Sequence, residues 1–279
     1  MRHYLRSRRP ILALAIGCTL LVGRFTAADE PAPAVDREFT AAVDGSIQRY
    51  VEVRPAVFDP ATPVDAVIAL HGHGSDRWQY IQTDRGECRG VRDVAARHGM
   101  LLISPDYRAK TSWMGPQAEA DVVQLIEILR EKHDVRRIYL AGASMGGTAA
   151  LIFAALHPEL IDGVLSENGT ANMVDYDQFQ DAIRAAYGGS KQEVPEEYRR
   201  RSPELAAEKL TMPIAFTVGG EDALVPPDSV RRLAGQLAES GRKNVLLDDD
   251  PQRGHETGYD ATVAAFEFVI RAVEGQAAP

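Results

Sequence analysis

From about Phe39 onward the chain alternates between short apolar runs and stretches of helical periodicity. Ile47, Tyr50, Val51 and Val53 form a β-rich alternating stretch. Residues 66–70 are an unbroken apolar run of the kind buried on both faces of a sheet. Further strands are predicted at 100–104, 136–142, 163–166, 213–218 and 244–247. Helices are predicted between them at 91–98, closed by Gly99, and at 117–131, where Val122, Leu125, Ile126 and Leu129 share one stripe. Others follow at 147–157, ending before Pro158, at 228–239, closed by Gly241, and at 259–273. Apolar strands alternating with helices imply an α/β fold with a mostly parallel sheet and helices on both faces. The rhythm breaks between about 170 and 210, where Tyr176, Phe179, Tyr187 and a charged run to Arg201 suggest a small cap-like insertion over the strand ends. One domain is therefore expected over 39–279, with 170–210 as its insertion.

The N-terminal segment does not share this pattern. Arg2, Arg6, Arg8 and Arg9 precede an apolar core from Ile11 to Val22, and Thr26-Ala27-Ala28 offers small residues for cleavage. Residues 1–28 are expected to be an export signal cleaved after Ala28, with 29–38 left as a linker and the mature protein periplasmic or secreted. Arg8-Arg9 leaves open whether the route is general or twin-arginine. The apolar core is shorter than the roughly 20 residues of a membrane span, so no stable membrane insertion is expected after cleavage.

Removing this segment changes the charge balance. Taking its five arginines from the 31 basic residues leaves 26 against 40 acidic ones, or about −14. Such a surface disfavours nucleic acid and anionic membranes as partners. Of the two cysteines only Cys88 lies beyond the signal, so no intramolecular disulfide is expected. No motif surrounds it beyond Arg85, Glu87 and Arg89, and it reads as a structural thiol.

The candidate chemistry lies where strands end. Gly142-Ala143-Ser144-Met145-Gly146-Gly147 joins a strand to a helix, a turn that can present a serine hydroxyl outward as a nucleophile. The Met145 amide, at that helix's start, can face a developing oxyanion. A second donor is expected from Leu70-His71-Gly72-His73-Gly74, from the amide of His73 with Gly72 beside it. His71 and His73 could also be read as a metal pair, but no third ligand sits in a nearby motif, and neither metal nor cofactor is expected. Asp222, just past the 213–218 strand, can orient a base, with Glu221 as the fallback acid. His255, between the last strand and last helix, is the candidate base. His98 and His133 lie near helix ends and read as solvated, and His157 reads as a helix terminator. The chain order Ser144, Asp222, His255 is the one this strand arrangement requires.

These residues resemble an α/β-hydrolase over roughly 45–273. Tyr198-Arg199-Arg200-Arg201-Ser202-Pro203, Lys209-Leu210, Pro213 and the loop from Gly219 to Pro226 resemble the catalytic domain of the prolyl oligopeptidase family. The 142–147 turn is equally similar to secreted feruloyl and acetyl-xylan esterases and to dienelactone-hydrolase-like proteins. The resemblance implies a serine hydrolase with Ser144, Asp222 and His255 as its triad. His71-Gly72-His73-Gly74 lacks the Gly-Gly-Pro of many peptidase loops, and no peptide-gating propeller is expected here. The expectation is therefore an exported esterase acting on a small-molecule or carbohydrate-linked ester. The alternatives are an exo- or oligopeptidase with the same triad and a catalytically silent binding protein on this scaffold. Whether Trp113, Tyr176 and Phe179 line the pocket is left open.

Overall fold

A computed structural model describes residues 33–275; the expected signal and its cleavage point at Ala28 lie outside the described residues. Eight strands form one sheet: β1 (Val35–Thr40), β2 (Ile47–Val53), β3 (Val64–Leu70), β4 (Leu101–Pro105), β5 (Val135–Ala143), β6 (Gly163–Glu167), β7 (Ile214–Gly219) and β8 (Val245–Asp250). Their order across the sheet is β1-β2-β4-β3-β5-β6-β7-β8. The pairings of β1 with β2 and β2 with β4 are antiparallel, and the rest are parallel. This is the α/β-hydrolase fold.

The helices are α1 (Gln79–Gln82), α2 (Gly86–Arg97), α3 (Pro116–Lys132), α4 (Met145–Leu156), α5 (Gln180–Tyr187), α6 (Pro195–Arg200), α7 (Asp228–Glu239) and α8 (Tyr259–Val273). Alternate residues of the central strands feed two cores, as the strand pleat requires. Val67, Ala69, Leu165 and Ala215 pack with Val91 and Val94 of α2 and Phe266 and Val269 of α8. Ile68, Leu70, Leu140 and Phe216 pack with α3, α4 and α7 on the other face. Each fully buried Leu or Ile there contributes roughly 2 kcal/mol of hydrophobic stabilisation.

Three expectations are corrected. The expected linker 29–38 is strand from Val35 onward, because Asp36 is tied to Arg49 and Arg77 and the segment pairs along β2. The helix expected at 91–98 begins at Gly86, its first turn being too polar to show apolar periodicity. His133 is buried, not solvated, against Phe58 and within 3.5 Å of Glu52.

Between β6 and β7 the chain passes through α5, α6 and a 3-10 helix, Pro203–Lys209. Arg201 is fully buried and locks this segment down, donating to Glu119 of α3, to Glu197 and to the Met114 carbonyl, each at 2.6 Å. Tyr187 donates to the Trp113 carbonyl at 3.1 Å. Trp113 and Met114 both carry positive φ, so the segment holds a strained loop in place.

Candidate active site

The β5–α4 turn is built by close approach. A Cβ on Gly146 would lie 1.9 Å from the Leu70 carbonyl oxygen, and one on Gly142 would lie 2.4 Å from the Gly146 carbonyl. Only glycine lets the three segments meet. Ser144 therefore sits at φ 58°, ψ −122°, a conformation that costs about 1–3 kcal/mol for a residue with a side chain. The surroundings hold it there: its amide donates to the Glu167 carbonyl at 2.8 Å, and its carbonyl accepts from the Thr148 amide at 3.0 Å.

Asp222 follows the end of β7 and is 4% exposed. One of its oxygens, Oδ1, accepts from the amides of Leu224 and Val225 at 3.0 and 2.8 Å. Its Oδ2 is thereby aimed at His255 Nδ1, 2.6 Å away. His255 Nε2 in turn lies 2.8 Å from Ser144 Oγ. A neutral imidazole donating from Nδ1 to the carboxylate leaves Nε2 as acceptor for the serine proton. The loops bearing acid and base are cross-tied, with the Glu221 amide donating to the Arg253 carbonyl at 2.9 Å and the Gly220 amide to the Asp250 carbonyl at 2.8 Å. Glu221 itself is exposed and points its carboxylate at no member of this chain of bonds.

The oxyanion candidates separate. Met145 is the first residue of α4, where amides lack intrahelical partners. His73 lines the cavity beside Ser144. Gly72 is corrected: its amide donates to Gln79 Oε1 at 2.8 Å, so it fixes the loop instead of facing an oxyanion. The two histidines of this loop go separate ways. His71 is fully buried, its ring nitrogens near the Gly72 and Asp106 carbonyls at 2.9 and 3.2 Å, and burial lowers its pKa. His73 accepts from Trp113 Nε1 at 3.1 Å and packs on Phe179 with 4.4 Å between ring centroids.

A cavity of about 500 Å³ opens over Ser144 and His255, lined also by Gln79, Thr83, Arg85, Glu87, Asn168, Phe179 and Leu224. Of the three aromatics left open by the sequence, Phe179 lines it. Trp113 is fully buried behind Phe179, and Tyr176 stacks on Trp113 and donates to the Leu224 carbonyl. Asn168, Arg85 and Glu87 are additions to the residues the sequence points to. Asn168 follows a strand end in Glu167-Asn168-Gly169, which is a readable signal; Glu87 stands in a helix's first turn and carries none. Cys88 is fully buried, and burial pushes its thiol up to about 12, as suits a structural residue.

Residues 107–270, more than half of the chain, match the model of the prolyl oligopeptidase family. The chain belongs to that family. Its fold is that of the α/β-hydrolases. Among curated proteins it is similar to the uncharacterized peptidase YtmA of Bacillus subtilis, 26% identical over 138 residues, 46% of this chain and 54% of that one. The chain thus spans about half the length of this relative. Among solved structures, the fluorophosphonate-binding serine hydrolase FphF of Staphylococcus aureus shares the fold with a TM-score of 0.66 at 17% identity, over 88% of this chain and 98% of that one. The acylaminoacyl peptidase of Pyrococcus horikoshii gives 0.64 at 16%, over 86% and 41%. At these identities the structures speak to fold alone. Proteins described as esterases and as peptidases both occur among the structural neighbours.

Proposed function

We propose that this family member is an exported carboxylic ester hydrolase with Ser144 as nucleophile, His255 as base and Asp222 as orienting acid. The observation that carries the proposal is the unbroken chain Asp222–His255–Ser144, with links of 2.6 and 2.8 Å. His255 Nε2 takes the Ser144 proton as Oγ attacks the ester carbonyl, and Asp222 stabilises the imidazolium. The amides of Met145 and His73 hold the oxyanion, each donor contributing on the order of 3 kcal/mol. His255 then protonates the departing alkoxide, and a water activated by the same nitrogen releases the acid from the acyl-enzyme. The ester reading is favoured by the His71-Gly72-His73-Gly74 loop, which differs from the Gly-Gly-Pro of many peptidases.

A fluorophosphonate probe is expected to label the wild type and not Ser144→Ala; equal labelling of the two overturns the assignment. The second reading, an oligopeptidase, is supported by the family match and by the YtmA relative's description as a peptidase. Aryl acetates turned over faster than peptide anilides support the ester reading, and the reverse order replaces it. Export rests on residues 1–28, and the exported protein is expected to begin at Asp29; a secreted or periplasmic form that retains Met1 would contradict cleavage.

A further inference from the structure

The cavity holds a group of polar side chains that the triad does not use. Glu87 is the telling one. It lines the cavity, yet the residue is only 6% exposed. Among the described residues the basic side chain paired with it is Arg85, with Nη1 at 3.9 Å, beyond hydrogen-bond reach. Among the described residues its own backbone amide is the donor it has, and burial raises its carboxyl above the ordinary range. Buried carboxylates normally fill their acceptor capacity. This one keeps capacity in reserve on the cavity side.

Its neighbours point the same way. Asn168 donates Nδ2 to Thr257 Oγ1 at 3.0 Å, and its Oδ1 has no donor among the described residues. Gln79 spends Oε1 on the Gly72 amide, and its amide nitrogen has no acceptor among the described residues. Thr83 adds a hydroxyl and Arg85, largely exposed, a guanidinium at the rim. Glu87 and the Asn168 oxygen oppose an anionic ligand, while Arg85 opposes an ammonium group. A neutral ligand offering donors and acceptors together meets neither penalty. Hydroxyl groups do that. Glu87 lines the same cavity as His255, the residue assigned above to protonate the departing alkoxide, so the subsite opens onto the space that receives the alcohol.

We propose that Glu87, with Arg85 and Gln79, forms a subsite for a neutral polyhydroxylated leaving group, a sugar or polyol esterified through one oxygen, with Glu87 accepting a hydroxyl hydrogen. The proposal rests on the esterase reading above. Its test holds the acyl group constant and varies the alcohol: acetyl glucose and acetyl glycerol against ethyl acetate, 4-nitrophenyl acetate and acetylcholine. The wild type is expected to prefer the polyol acetates over ethyl acetate by at least tenfold in kcat/KM. In Glu87→Gln and Glu87→Ala the ratio of polyol acetate to 4-nitrophenyl acetate turnover is expected to fall at least tenfold, chiefly through KM, with less loss in Gln than in Ala. A ratio that does not move in either variant, with Ser144 still labelled by fluorophosphonate, overturns the subsite and leaves the esterase standing. A larger loss for acetylcholine than for acetyl glucose makes it a cation site and overturns the proposal too. Fluorophosphonate labelling without hydrolysis of any acetate overturns the esterase reading and the subsite with it.

Discussion

The tautomer of one imidazole depends on a single carboxylate. Asp222 Oδ1 is occupied by two backbone amides, so only Oδ2 is free for His255. An asparagine at this place would keep its oxygen on those amides and turn its NH2 toward Nδ1. Nδ1 would then accept, Nε2 would carry the proton, and Ser144 would lose its base. Asp222→Asn is therefore expected to lower kcat by about 10³–10⁴-fold with little change in melting temperature; a loss under tenfold in steady-state ester hydrolysis would show that Asp222 does not set the tautomer. At this scale the sequence is legible wherever a strand end is. Ser144, Asp222 and His255 each follow an apolar run, and the structure brings their side chains within hydrogen-bond distance of one another. The occupation of the Gly72 amide is not legible, because nothing in the sequence shows that Gln79, seven residues on, takes it. Glu87 is not legible in the sequence, because its place at the cavity wall with few partners depends on packing.

At the scale of elements, the segment between β6 and β7 is anchored by charge as well as by apolar contact. Glu119 of α3 accepts from His157 at 2.9 Å, Arg200 at 2.6 Å and Arg201 at 2.6 Å. Burial alone would raise its carboxyl; these bonds and the Arg201 charge outweigh burial and hold it at about 2. A carboxyl depressed in the folded state stabilises the fold above its unfolded value near 4.5 and loses that contribution as pH falls toward 2. The shift corresponds to about 3 kcal/mol. Glu119→Gln leaves the fully buried Arg201 with one carboxylate, Glu197, and is expected to destabilise the protein by about 3–5 kcal/mol at pH 7. The wild-type disadvantage of acid should shrink in the same variant. Denaturant midpoints at pH 3 and pH 7 measure both, and a loss under 1 kcal/mol at neutral pH would show that Arg201 is held well enough without Glu119. Long periodic helices such as 228–239 and 259–273 were readable to the residue. The clamp was not: Arg199, Arg200 and Arg201 look alike in a charged run, and which one is interior depends on an acid some eighty residues earlier.

Across the whole molecule, the sheet places an uncharged acid beside its own reactive turn. Glu167 ends β6, between β5 and β7, and its carbonyl holds the Ser144 amide. Its side chain is fully buried, Oε1 accepting from Thr262 of α8 at 2.6 Å while Oε2 finds no partner among the described residues. Burial pushes its carboxyl up to about 8, and the nearby Glu87 charge adds to the rise against a smaller pull from Arg253. In the unfolded chain the same group ionises near 4.5. Between these values the folded state binds the extra proton, so stability falls as pH rises from about 4.5 to 8 and levels off above. Ionisation also puts a buried charge against the strand that fixes the nucleophile, which links global stability to the geometry at Ser144. Glu167→Gln keeps an oxygen for Thr262 and removes the titration. Between pH 6 and pH 9 the wild type is expected to lose several degrees more in melting temperature than the variant, at roughly 2–4 °C per kcal/mol for a domain of this size. Parallel pH profiles in calorimetry would mean that Glu167 is ionised throughout, compensated by Arg253, and that the centre of the sheet carries charge after all.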